Sequence, residues 1–145
     1  MRKGEPASGK EFFDLLCADT EFCAELGRAM LAAGRLESEL RQFLAANNVR
    51  SAKKATLGQL TKLLERHGLL KQMQPHLDQL STQRNYLAHS VHALFDELIE
   101  ETILPRSNLL DSDVDFFSER AWQLVDNLNV LADIVTKERR QNDGQ

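Results

Sequence analysis

Cysteine is scarce in this chain, and so are glycine-rich loops, strand patterns and long apolar runs; each shortage excludes something. The two cysteines, Cys17 and Cys23, stand six residues apart with no second Cys or His pair at metal-ligand spacing nearby. That leaves a zinc site without its ligands. Their apolar neighbours mark both as core or near-core thiols. No apolar run approaches the roughly 20 residues that span a bilayer, and Met1-Arg2-Lys3-Gly4 is not followed by a signal-peptide core. The expectation is a cytoplasmic protein without membrane contact, a compartment that argues against a disulfide. No glycine-rich phosphate loop, internal repeat or alternating strand pattern is present, which removes the nucleotide-binding α/β folds and the all-β folds from consideration.

What is present is helical periodicity. The 145 residues, 42% hydrophobic and 28% charged, suit one soluble domain large enough to bury a core without staples. The spacing predicts an all-α fold, an up-and-down bundle of four to five helices. Residues 1–8 carry Gly4, Pro6 and Ser8 without apolar period and are expected as a loose tail, residues 9–140 as a single helical domain, and residues 141–145 as a frayed end.

Ser8 followed by Glu11 can cap a short first helix bearing Phe12, Phe13, Leu15 and Leu16. Asp19 and Thr20 can then cap a longer helix whose seam is Phe22, Leu26, Met30, Ala33, Leu36, Leu40 and Phe43. Gly27 and Gly34 share one face of it and suggest that another backbone comes close, within the chain or across a dimer. Asn47 and Asn48 are its stop signals. Thr56 and Gln59 have capping-box spacing, and Gly68 ends the short helix that carries Leu57, Leu60 and Leu64. Pro75 suits the first turn of the next helix, which should run to about Glu100. Asp111, Ser112 or Asp113 can cap the last, with Phe117, Ala121, Leu124, Leu128, Leu131 and Val135 as its seam.

The fourth of these helices contains the anomaly. Leu77, Leu80, Leu87, Val91, Leu94 and Leu98 form a three-and-four seam only if position 84 is a member, and position 84 is Arg. A guanidinium cannot lose its proton to escape burial, so Arg84 needs a carboxylate, a phosphate or water in a cleft. A buried ion pair, or a stem lying along apolar surface with its head in solvent, would satisfy it structurally. Glu37 flanks the seam of the second helix and is a candidate partner, with Glu39 as the fallback. On another side of the same helix Asp78, Thr82, Asn85, His89, His92 and Asp96 form a polar stripe, which for an amphipathic helix is by default a solvated face. His89 projects about 140° away from Arg84, so a joint site needs the reach of Arg, a distorted turn or a second subunit.

The string Arg84-Asn85-Tyr86-Leu87-Ala88-His89, on a late helix of a small helical chain, resembles the Arg-x4-6-His motif of the HEPN superfamily, in which a polar residue directly follows the Arg. The resemblance implies a helical bundle that acts as a homodimer, lining one cleft with the motifs of both subunits. It further implies metal-independent RNA cleavage of the toxin or anti-phage kind, with a cognate antitoxin such as a small nucleotidyltransferase as a possible partner. One branch carries, two positions after the His, a Tyr that such a nucleotidyltransferase modifies with AMP. Val91 stands at that position here, so the likeness does not extend to that form of control.

Carried over, the motif makes Arg84, Asn85 and His89 the catalytic candidates, with Glu37 and His92 as support and neither cofactor nor metal required. His suits proton transfer because its pKa lies near 6.5, Arg suits the phosphoryl oxygens because its charge is permanent, and Asn can hold the imidazole tautomer or the substrate. His92 could act as a second acid-base group. A metal alternative uses His89, His92 and Asp96, which share a face. The rival from another class is a HEPN-like dimer that binds or regulates without cutting, with Arg84 organising the dimer or contacting a phosphate.

The net charge of −4 disfavours a nucleic-acid partner, but its distribution is uneven. Arg50, Lys53, Lys54, Lys62, Arg66 and Lys71 face one acid, Glu65, in their stretch, whereas residues 93–119 hold eight acids and one base. The basic loop at Arg50, Lys53 and Lys54 is the candidate RNA contact, and the polarity could equally pair two subunits or form two solvated surfaces of opposite sign.

Overall fold

The computed structural model describes the backbone of residues 3–95 and 110–143 and the side chains of residues 3–85 and 110–141. The chain is all-α over that range, with helices α1 (Gly9–Ala18), α2 (Thr20–Ala46), α3 (Leu57–Arg66), α4 (Gln74–Phe95) and α5 (Asp113–Asp143), and a 3-10 turn at Lys71–Met73 before α4. No strand occurs among the described residues. An isolated antiparallel bridge pairs Pro6 with Leu110. No described helix is long and apolar enough to cross a membrane. The expected continuation of α4 to Glu100, and Pro105, lie outside the described residues.

Local chemistry sets the helix ends. Ser8 Oγ accepts the Glu11 amide at 3.2 Å, and Asp19 Oδ1 accepts the Phe22 amide at 2.7 Å, breaking α1 from α2. Thr56 and Gln59 form the reciprocal capping box, at 3.3 and 3.0 Å. Asn48, at φ 62°, ends α2 while the Val49 amide reaches back to the Leu44 carbonyl at 2.8 Å. Gly68, at φ 64°, does the same after α3, with Leu69 bonded to Leu64 at 2.9 Å.

The residues fall into two compact units, one made of residues 1–29 and 83–124, the other of residues 30–82 and 125–145. In the first, the Phe117 ring meets Phe12 and Phe22 edge-on, with centroids 5.4 and 6.1 Å apart. Leu16, Ala29, Val114, Ala121 and Leu124 are buried with them. The second is built from Leu36, Leu40 and Leu44 of α2, Leu57, Leu60 and Leu64 of α3, Leu77 and Leu80 of α4, and Leu128, Ala132 and Val135 of α5.

Two expectations for α1 and α2 are corrected, those for Met30 and for the two thiols. Met30 is not in the seam but 72% exposed; Ala29, Ala32 and Ala33 take the buried positions around it. Helical phase decides this, because Phe22, Ala29, Leu36, Leu40 and Phe43 already define a buried side that Met30 does not share. Gly27 and Gly34 meet no described backbone, a Cβ on either finding nothing within 4 Å, and the alternative of an approach across a dimer stands. Cys17 and Cys23 are free, exposed thiols rather than core ones; the Cys23 thiol leans on the Leu16 carbonyl at 3.3 Å.

The segment expected as a loose tail makes specific bonds. The amides of Lys3, Gly4 and Glu5 converge on the Asp111 carboxylate at 3.4, 2.6 and 2.9 Å, and the Asp111 amide returns a bond to the Glu5 carbonyl at 2.8 Å. Gly4, at φ 77°, supplies the left-handed backbone that turns successive amides to one point. The expected capping role of this aspartate gives way to that anchor, and Asp113 Oδ2 instead accepts the Leu110 amide at 2.9 Å. Desolvation pushes the Asp111 carboxyl up, but the amides of Glu5, Gly4, Lys3 and Ser112 together hold it below its ordinary value of 3.8. A depressed carboxylate contributes stability above its unfolded pKa, which is lost as pH falls through the folded one. The amide proton shifts of Gly4 and Glu5 should therefore titrate together with a midpoint below 3.8, and an NMR titration with a midpoint at or above that value would contradict the anchor.

Candidate functional site

Helix α4 places its residues as its periodicity requires. Leu77 and Leu80 are buried, Arg84 on the same row is half-buried, and Asp78, Thr82 and Asn85 are exposed. The Thr82 hydroxyl spends its proton on the Asp78 carbonyl at 2.9 Å. Gln74, at the start of the helix, reaches the Thr61 carbonyl and Asp78 Oδ1, both at 3.4 Å. The side chains of His89, His92 and Val91 lie outside the described residues, as does Asp96 entirely. Their backbone up to Phe95 is helical, so the six-residue motif sits on one continuous helix.

Arg84 takes part in no ion pair among the described residues, although its stem is on the apolar row. Three other arginines differ. Arg139 grips Glu39 Oε2 through Nε and Nη2 at 3.3 and 3.2 Å, Arg35 pairs with Asp133, and Arg28 binds Glu25 Oε1 at 2.8 Å. Glu39, the fallback partner for Arg84, is thus committed to α5. Glu37 is half-buried on α2 in the second unit, whereas Arg84 belongs to the first, so their pairing remains a proposal. Sequence reasoning passed over Glu25, which belongs to the unit that contains Arg84 and whose buried Oε2 has no hydrogen-bond partner among the described residues. Its position toward the buried side of α2 was the available signal.

Of the RNA-contact candidates, Arg50 and Lys53 line one wide depression of about 620 Å³ with Arg41, Ala45, Asn48, Val49 and Ser51. Lys54 is not in that lining. Arg41 was not anticipated, because its presence there depends on the turn that folds the loop back on α2. A smaller apolar groove of about 240 Å³ lies among His76, Gln79, Leu80, Asn127, Val130, Leu131 and Ile134. No group of three or more His, Cys, Asp or Glu side chains poised for a metal occurs among the described residues. Compared with known proteins, the chain matches no family model, no curated protein and no solved structure.

An arginine kept on an apolar row for structure must lose stability when replaced, because breaking a buried pair costs about 3–5 kcal/mol. Arg84→Met, which keeps the stem volume, should instead leave the unfolding free energy within about 1 kcal/mol of wild type. Chemical denaturation measures this; a loss near the upper figure would return Arg84 to a structural role.

Proposed function

We propose that this chain is a HEPN-type endoribonuclease that cuts RNA without a metal ion, as a homodimer of helical bundles. The observation that carries the reading is Arg84: a permanent charge on the apolar row of α4, without an ion pair among the described residues, followed by an exposed Asn85. A guanidinium left open in this way suits a phosphate oxygen that arrives with substrate.

In the proposed reaction His89 accepts the proton of a ribose 2′-OH, whose oxygen attacks the adjacent phosphorus. Arg84 offsets the charge that accumulates on the non-bridging oxygens. The 5′-oxygen leaves with a proton returned by an imidazole, from His89 or, as the second acid-base group, from His92. The products are a 2′,3′-cyclic phosphate and a 5′-hydroxyl. Asn85 orients the imidazole or the substrate, and Glu37 is the proposed support for the guanidinium. The 140° between Arg84 and His89 along one helix is the reason for a second subunit: motifs from two copies supply both groups to one cleft. The proposal puts the protein in the cytoplasm, with a small nucleotidyltransferase as a candidate antitoxin and Val91 closing the tyrosine-modification route.

Dimer formation has independent support in α2. Met30 and Leu31 are 72% and 76% exposed, and Gly34 beside them leaves open space, an apolar surface of the kind a second copy covers. Leu31→Glu should shift the protein from dimer to monomer in light scattering while retaining helical circular dichroism. An unchanged mass would remove this face from the interface.

The deciding test is RNA cleavage by the purified protein in EDTA, wild type beside His89→Ala. Wild type alone should cut and leave 2′,3′-cyclic ends, with a loss of at least about 100-fold in the variant, the scale of general acid-base catalysis. If neither protein cuts while both remain folded dimers, the chain is a non-catalytic binding or regulatory module.

A further inference from the structure

The basic depression at the α2–α3 turn has an arrangement that the linear sequence does not contain. Asn48 takes a left-handed conformation at the end of α2, and the Val49 amide bonds back to Leu44. This reversal lays the loop against the last turns of the helix, so that Arg50 and Lys53 share a lining with Arg41, nine and twelve positions earlier. A turn closed by the Ala55 amide on the Ala52 carbonyl at 3.1 Å spans Lys53 and Lys54. Arg41 Nη1 donates to the Ala55 carbonyl at 3.4 Å. One guanidinium edge thus pins the loop, and Arg41 makes no other hydrogen bond among the described residues.

Three cations share this lining with no carboxylate among them. Mutual repulsion makes such a grouping unfavourable by itself. A solvated basic loop would be the ordinary explanation, but two other arginines of the same unit are treated differently. Arg35 is matched by Asp133 and Arg139 by Glu39, whereas Arg41, Arg50 and Lys53 form no ion pair among the described residues. The unit that holds them carries eleven Lys and Arg against eight Asp and Glu, a net charge of +3, while the other unit carries seven against fourteen, a net of −7. Positive charge is therefore concentrated, in a protein that is acidic overall, and it is left open at one depression.

The ligand follows from the lining. Cations with Asn48 and Ser51 beside them suit phosphate oxygens and neighbouring hydroxyls, and only Ala45 and Val49 are apolar. A wide, open mouth of this kind does not enclose a small molecule; it suits a strand that passes through. We infer that the α2–α3 turn is a phosphate-binding site that holds an RNA strand by its backbone through Arg41, Arg50 and Lys53. The choice of RNA as the source of the phosphate rests on the nuclease reading above. The site itself rests on the depression, and Lys54 is left out of it.

A short fluorescent single strand with 2′-O-methyl riboses separates the two, because it presents the same phosphates but has no 2′-OH to attack. Anisotropy titrations of the full chain at several salt concentrations should show binding by wild type. Arg50→Gln/Lys53→Gln should bind roughly tenfold more weakly, with the slope of log affinity against log salt reduced by about 1.4, the loss of two single-strand phosphate contacts. These substitutions leave the Arg41 tether intact, and an unchanged thermal melt shows that folding is preserved. Equal affinity and slope in wild type and variant would overturn the site, as would no binding by wild type. Phosphorus NMR with inorganic phosphate tests the other source: binding of the free ion with no binding of the strand would overturn RNA as the ligand. Binding of the methylated strand without cleavage of ordinary RNA would defeat the nuclease reading and keep the site. Cleavage by wild type with unaltered strand binding by the variant would do the reverse.

Discussion

Burial of one side of α2 is the constraint from which the other placements follow. Its Phe22 and Ala29 enter the first core, and its Ala32, Ala33, Leu36, Leu40, Phe43 and Leu44 enter the second. Fully burying a Leu or Phe is worth about 1.5–3 kcal/mol each, so the rotational phase of this helix is set by several such terms at once. With that side inward, Met30, Leu31 and both interior glycines must face out, and Glu39 falls at an edge where Arg139 of α5 can reach it.

The same logic sorts the arginines. Surface pairs such as Arg28 with Glu25 contribute about 0–1 kcal/mol, and Arg35 with Asp133 is likewise largely exposed; their effect is to neutralise charge locally. Glu39 and Arg139 are more enclosed, at 16% and 20% side-chain exposure, where an unmatched partner would be costly. Against that background Arg84 on α4 and the trio at the α2–α3 turn are cations to which no carboxylate comes among the described residues, and their place sets them apart from other such cations: one lies on an apolar row, and the other three line one depression. Both functional proposals grow from that shared property, one directed at a phosphorus under attack and the other at the backbone of the strand.

Helix boundaries were the most legible feature, because caps are short-range chemistry. Ser8, Asp19, Asn48, Thr56 with Gln59, and Gly68 all act on amides or carbonyls within five residues, which a linear reading can see. The apolar row through Leu77, Leu80 and Arg84 was legible for the same reason, being a period within one helix. Met30 fits the three-and-four spacing after Leu26, but the 3.6-residue period turns it away from the side on which Ala29, Ala33 and Leu36 are buried. The face of Gly27 and Gly34 meets nothing among the described residues, and helical spacing alone does not distinguish an approach within the chain from one across a dimer. The thiols of Cys17 and Cys23 were judged by their neighbours in sequence, although successive helical residues point in different directions.

The sequence by itself determined that the chain is helical, where most helices begin and end, and that a charged residue occupies an apolar row with Asn85 beside it and His89 one turn further on. These follow from hydrogen-bonding and periodicity over a few residues. Only the tertiary structure decided which side of α2 is buried, that Asp111 gathers the amides of residues 3–5, that Glu39 belongs to Arg139, and that Arg41 joins Arg50 and Lys53. The Asp111 and Glu39 contacts join groups about a hundred positions apart and are set by the packing of whole helices, and Arg41 meets the loop through the reversal at Asn48; a helical period carries neither.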